Sequence, residues 1–151
     1  MLAFPEAVAT ATILVPHAST SVGSTRLRVQ DDLLAQGLPA RVVEDAVLVL
    51  SELLSNALKH ARPLADGRVR VTWALAHEGV EVQVTDGGGS TRPRLLPLSA
   101  SRTGGRGLGI VRNLSRDWGV VEQGAETTVW ALVDLDPAAR PLRPYSPVRG
   151  R

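Results

Sequence analysis

The stretch from Ala40 to Ala61, ARVVEDAVLVLSELLSNALKHA, constrains this chain more than any other. Its apolar residues Val43, Val47, Leu50, Leu54, Ala57 and Ala61 step by four, three, four, three and four, the spacing of one buried face of an α-helix. Pro63 closes the run, because proline disfavours helical backbone in the residue before it. The same helix carries Glu52, Asn56 and His60 four positions apart, within about 80° of one another along two turns. Ser55 and Lys59 flank that polar stripe. An acid, an amide and an imidazole aligned this way form either a solvated surface or the floor of a polar site. The helix alone does not choose between them.

The rest of the chain supplies a sheet for the apolar stripe to cover. TATILV, Thr10 to Val15, is β-branched and stops at Pro16, which suits an edge strand. Ser19 or Thr20 then caps an expected helix running to about Gln36, with Val22, Leu27, Val29, Leu33 and Leu34 as its apolar face and Gly37 and Pro39 as its stop. RVRVTWALA (Arg68 to Ala76) and VEVQVTD (Val80 to Asp86) read as a hairpin joined by His77, Glu78 and Gly79. After a span without periodicity, Gly87 to Gly104, a helix is expected over Gly105 to Arg116. Two closing strands follow, WGVVEQ and TTVWALVDL. A connection as long as Gly87 to Gly104 within a compact domain is usually functional or disordered, and it reads as a mobile lid. The expected organisation is one domain over 1–136 and a proline- and arginine-rich tail over 137–151, PAARPLRPYSPVRGR, expected to be disordered.

Composition narrows the function classes. There is no cysteine, which excludes disulfides, thiolate metal sites and thiol catalysis. Net charge is only +2, and Lys59 is the sole lysine, so the sequence pI of about 9.9 reflects non-titrating arginines rather than a basic surface built for nucleic acid. Stacking aromatics for single strands are also scarce. No apolar run approaches the ~20 residues that cross a bilayer, and the opening MLAFPEAVATATILVP has no basic region of the signal-peptide kind. A cytoplasmic protein with no membrane or nucleic-acid partner is the expectation.

Two glycine-rich stretches stand at the ends of expected elements. VTDGGGS, Val84 to Ser90, is a strand ending in an aspartate and three glycines; a carboxylate there can accept from an exocyclic amine, and glycines let a flat ring approach the backbone. Asp-Gly is also an ordinary turn dipeptide. GGRGLGIV, Gly104 to Val111, opens a helix, where exposed N–H groups, the positive end of the helix dipole and Arg106 suit a phosphate. It lacks the preceding βαβ strand of a dinucleotide fingerprint.

Taken in order, ELLSNALKH, DGGGS and GGRGLG resemble the N box and the two glycine boxes of the GHKL or Bergerat ATP-binding fold, which gyrase B, heat-shock chaperones, histidine kinases and mismatch-repair MutL share. Within that superfamily, SELLSNALKHA, GGRGLGIVRNLSRDWGV and TTVWALV are similar to the stand-alone anti-sigma-factor serine kinases of actinobacteria. The resemblance implies a two-layer α/β sandwich, a mixed, mostly antiparallel sheet with helices on one face. It implies ATP and Mg²⁺ as cofactors. Asn56 would ligate the metal, and Glu52 would be the catalytic residue that orients or deprotonates the attacking group. Asp86 would read the adenine amine, Gly88 would admit the base, and Gly105, Arg106, Gly107, Leu108 and Gly109 would wrap the phosphates. Thr128 would sit under the base and support Asp86, while Lys59 and His60 would lie near the phosphates.

Ser90 stands where the first glycine box usually has its last glycine, and Arg92, Arg94 and Arg102 are lid residues within reach of a phosphate. The implied partners are a sigma factor and an anti-sigma-factor antagonist, with a homodimer expected by similarity. The alternative is a non-catalytic ATP-binding module that regulates a protein partner by nucleotide occupancy. A histidine-kinase reading is disfavoured, since neither His17, just after the first strand, nor His77, in a hairpin turn, looks like a phosphoacceptor.

Overall fold

The computed structural model describes residues 7–89 and 106–136, with side chains from residue 9 in the first stretch and from residue 109 in the second. Ser90, the arginines Arg92, Arg94 and Arg102, Gly105 and the 137–151 tail lie outside the described residues. The element order is β1 (Ala7–Pro16), α1 (Ser21–Ala35), α2 (Ala40–His60), β2 (Arg68–Ala76), β3 (Gly79–Asp86), α3 (Arg106–Leu114), β4 (Asp117–Gln123) and β5 (Glu126–Asp134). The strands form one sheet in the order β1-β2-β3-β5-β4, and every pairing among the described strands is antiparallel. Together with the three helices among the described residues this is an α/β fold of the expected kind, with β1 at an edge.

Strand alternation divides the sheet into two faces. Val69, Val71 and Trp73 of β2, Val80, Val82 and Val84 of β3, and Val129, Ala131 and Val133 of β5 form one core with Val43, Val47, Leu50, Leu54 and Ala57 of α2. Here α2 packs on β3 and β5, while α1 leans on α2 and β1, and α3 on α2 and β4. Each fully buried Val or Leu in this layer contributes about 1.5–3 kcal/mol of transfer free energy. Helix α2 ends after His60, where Ala61 is extended and its N–H still bonds the Ala57 carbonyl at 3.0 Å. Lys59 and His60 occupy its last turn, where the helix dipole favours cations.

Helix α1 departs from its expected pattern. Its buried stripe is Ser21, Thr25, Val29 and Leu33, whereas Leu27 is 63% and Leu34 44% exposed. Half the buried stripe is polar, so a search for apolar periodicity assigns the face wrongly. Thr20 occupies the N-cap position without a side-chain cap bond; the Ser21 hydroxyl instead donates to the Pro16 carbonyl at 2.7 Å.

One polar contact fixes α1 over the sheet. Trp73, 1% exposed, donates its indole N–H to Asp32 Oδ2 at 2.7 Å, and Gln36 Nε2 donates to the same oxygen at 3.0 Å. A buried donor stripped of its acceptor bears its full desolvation cost. Asp32→Ala should therefore destabilise the fold by about 1–3 kcal/mol, read as a lower urea midpoint. Asp32→Asn, which retains an acceptor, should lose less.

Candidate functional site

Strand β3 delivers Asp86 to the helix-bearing side of the sheet at the end near the C-terminus of α2. The next residues turn sharply: the Gly88 N–H donates to Asp86 Oδ1 at 2.8 Å, and Gly88 has φ +83, a backbone region L side chains rarely enter. The Gly87 N–H donates to the Arg62 carbonyl at 2.8 Å, and the Arg62 N–H donates back to the Gly88 carbonyl at 2.9 Å. The first glycine box is thus joined by two reciprocal backbone bonds to the residue that follows Ala61. A Cβ on Gly87 would stand 2.1 Å from the Pro63 carbonyl oxygen, and one on Gly88 would stand 3.2 Å from that of Ala125. The loop threads between the end of α2 and the β4–β5 turn, where a side chain on Gly87 does not fit.

Asp86 is 2% exposed. Burial pushes its carboxyl above the ordinary carboxylate value, opposed by the bond from Gly88 N–H and by the charge of His17. His17 follows β1, and its Nε2 lies 3.0 Å from the Ala61 carbonyl oxygen. Strand β1, the end of α2 and the Asp86 loop therefore meet at one corner of the sheet.

The polar stripe of α2 leads away from that corner. Glu52, Ser55 and Asn56 are half-buried, and Lys59 and His60 are exposed. At 1.5 Å per residue Asn56 lies about 7 Å along the axis from Ala61, and Glu52 about 6 Å beyond it. Helix α3 packs on α2 and begins at Arg106 with Gly107, Leu108 and Gly109; Gly109 is buried. The N box and the helical part of the second glycine box are brought together on the same side of the sheet as Asp86.

The register separates two adjacent threonines. Asp86 pairs with Thr127, and a Cβ on Gly88 would lie 3.7 Å from the Thr127 hydroxyl. Thr128 pairs with Thr85, and their hydroxyls bond at 2.7 Å on the opposite face. By this register Thr127, rather than the expected Thr128, stands on the face of the sheet that carries Asp86. The signal was in the sequence, because Thr127 shares parity with Val129, Ala131 and Val133. Arg62 and His17 were also missed, and no side-chain pattern announces a backbone bond across 26 residues.

Among the described residues no group of three or more His, Cys, Asp or Glu could hold a metal ion. That donor set fits Mg²⁺ only as an ion carried largely by phosphate oxygens and water, with a single neutral oxygen from the protein. The half-buried Asn56 amide is such an oxygen.

A profile of the histidine kinase-like ATPase domain matches residues 15–132, from the end of β1 nearly to the end of β5. No curated protein matches the chain. Among solved structures, the RsbU and RsbW domains of Rv1364c from Mycobacterium tuberculosis superpose with a TM-score of 0.65 at 20% identity over 93% of this chain. The chain spans 35% of that protein's length, and the likeness shows a shared fold. The Acinetobacter baumannii histidine kinase AdeS aligns over 85% of this chain and 70% of its own at 14% identity, with a TM-score of 0.43, too low to argue a shared arrangement.

The buried carboxyl sets a pH signature. A group whose folded-state pKa is raised contributes most to stability below its unfolded value, 3.8 here, and that contribution is lost as pH rises through the folded value. Asn at position 86 keeps the acceptor for Gly88 N–H without the ionisation. Relative to wild type, Asp86→Asn should have a higher melting temperature at pH 7, and the gap should narrow toward pH 4. A pH-independent difference would contradict the burial argument.

Proposed function

Because the chain belongs to the histidine kinase-like ATPase family, whose domain implies ATP binding, we propose that it is an ATP-dependent serine/threonine protein kinase. On this reading it holds a sigma factor inactive and phosphorylates an antagonist protein that would otherwise release it. The observation that carries the reading is the junction of the Asp86–Gly88 loop with the end of α2, which puts a buried carboxylate and a carboxylate–amide stripe on one side of the sheet.

Each residue has a definite task. Asp86 accepts a hydrogen bond from the adenine amine, and Gly87 and Gly88 keep the wall beside the base free of side chains. Thr127, next to Asp86 in the register, is the hydroxyl placed to bind the base edge directly or through water. Gly105, Arg106, Gly107, Leu108 and Gly109 present the start of α3 to the phosphates, where backbone N–H groups and the helix dipole favour anions. Lys59 and His60, exposed in the last turn of α2, add positive charge or donors near the same phosphates. Asn56 supplies the protein oxygen to Mg²⁺, which when bound neutralises charge between the phosphates.

Glu52, about one turn of α2 before Asn56, takes the proton of the attacking serine hydroxyl. The serine oxygen then bonds the γ-phosphorus, the bond to the bridging oxygen breaks, and ADP leaves with that electron pair. The half-buried setting of Glu52 leaves it open to an incoming serine. The protein is read as cytoplasmic; no helix among the described residues is long and apolar enough to cross a membrane.

Two substitutions on one helix separate binding from transfer. Asn56→Ala should weaken Mg-ATP binding in titration calorimetry at least tenfold, about 1.4 kcal/mol, with a much smaller effect on ATP measured in chelator. Glu52→Ala should bind Mg-ATP within a fewfold of wild type yet transfer no label from γ-labelled ATP to an antagonist that the wild type phosphorylates. If wild type binds ATP and transfers label to no candidate antagonist, the kinase reading fails and regulation by nucleotide occupancy takes its place.

A further inference from the structure

No step of the proposed phosphotransfer uses His17, yet it stands where β1, the end of α2 and the Asp86 loop meet. It follows Pro16, the last residue of β1, and its backbone is set by a compact turn. The Pro16 carbonyl accepts from the Ala18 N–H at 2.8 Å and from the Ser21 hydroxyl at 2.7 Å, and the Ser21 N–H donates to the Ala18 carbonyl at 3.0 Å. Ser21 is itself buried, at the start of α1. The half-buried imidazole is thereby held against the end of α2.

The Ala61 carbonyl that meets Nε2 at 3.0 Å lies just past the last turn of α2, where backbone carbonyls run out of intrahelical donors. A carbonyl oxygen only accepts, so the proton at this contact sits on Nε2. That carbonyl shares one peptide unit with the Arg62 N–H, which donates to the Gly88 carbonyl at 2.9 Å. A peptide unit is planar and stiff, so contacts on its oxygen and on its nitrogen fix the same plane from two sides. Hydrogen bonds chained through such a unit also polarise and strengthen one another.

The chain of contacts continues to the carboxylate. The Arg62 carbonyl accepts from the Gly87 N–H at 2.8 Å, and the Gly88 N–H donates to Asp86 Oδ1 at 2.8 Å. Electrostatics agree with this proximity: burial raises the Asp86 carboxyl above its ordinary value, and the Gly88 N–H and the charge of His17 act against it.

We propose that His17 is a positioning residue for base recognition: by holding the Ala61–Arg62 peptide it sets the Gly87–Gly88 turn, and with it the direction in which Asp86 presents its carboxylate. This role rests on ATP being the ligand, and adds to the groups that touch the base the group that aims them. A plain staple between β1 and α2 would add stability and leave base preference alone.

Two measurements on the full chain, with His17→Ala and His17→Gln, test the role. In the nucleotide-free protein, hydrogen exchange followed by NMR should show the Arg62 and Gly87 amides exchanging about tenfold faster in His17→Ala, relative to the Val82 amide inside β3. In calorimetric titration His17→Ala should weaken Mg-ATP about fivefold and Mg-GTP less than about twofold, the difference expected of one hydrogen bond acting at the base. His17→Gln, whose side-chain amide can donate to the same carbonyl, should restore both. The proposal is overturned if Arg62 and Gly87 keep their wild-type exchange in His17→Ala, if His17→Gln restores neither property, or if ATP and GTP weaken by the same factor, which leaves His17 a staple only. Wild-type protein that binds ATP and GTP equally well overturns the ATP reading and this role with it, a failure visible before any variant is made.

Discussion

The structure depends on the reciprocal pair of backbone bonds between Arg62 and the Gly87–Gly88 turn. They tie the C-terminal end of the long helix to the end of the central strand β3, so that the helix cannot slide along the sheet without breaking them. Everything at the site inherits its position from that junction. Asp86 is buried and accepts from Gly88 N–H within the turn, the glycines are required because Pro63 and Ala125 crowd the turn, and the Glu52–Asn56 stripe is set at a fixed distance along α2. Net hydrogen-bond contributions of about 1 kcal/mol each are modest in stability; their larger effect here is to fix register.

Helix α2 then serves two layers at once. Its Leu50, Leu54 and Ala57 side closes the core over β3 and β5, while Glu52, Ser55 and Asn56 remain only half covered. A polar stripe held by a well-packed helix is preorganised, since moving it would mean repacking the core. The same economy explains the raised pKa direction at Asp86: the group lies where burial disfavours its charge, and Gly88 N–H and His17 offset part of that cost. Groups whose burial opposes their charged form gather at binding sites, where a ligand donor supplies what water no longer can.

Much of this was legible in the sequence, for physical reasons that differ by element. The α2 stripe and the alternation of Val80, Val82 and Val84 are local periodicities, and both elements appear at nearly the expected bounds. The first glycine box was legible because glycine is the residue that sharp, crowded backbone requires. Helix α1 was less so, because its inward stripe includes Ser21 and Thr25, whose burial depends on neighbours rather than on hydropathy. Thr127, in parity with Val129, Ala131 and Val133, shares the face of Asp86, while the expected Thr128 faces the other way, a distinction that strand alternation alone carries. Arg62 and His17 act through a backbone amide and a ring–carbonyl contact, and such contacts leave no trace in residue type.

On the proposed reading, the corner made by Asp86, Gly88 and the end of α2 receives an adenine ring. Calorimetric titration of ATP and GTP, each with Mg²⁺, into the wild-type chain tests it most directly. The carboxylate accepts from the adenine amine but faces an oxygen acceptor at the same position of guanine. ATP should bind at least tenfold more tightly than GTP, about 1.4 kcal/mol. Equal affinities would contradict the account, because a pocket that holds only phosphates does not distinguish the bases.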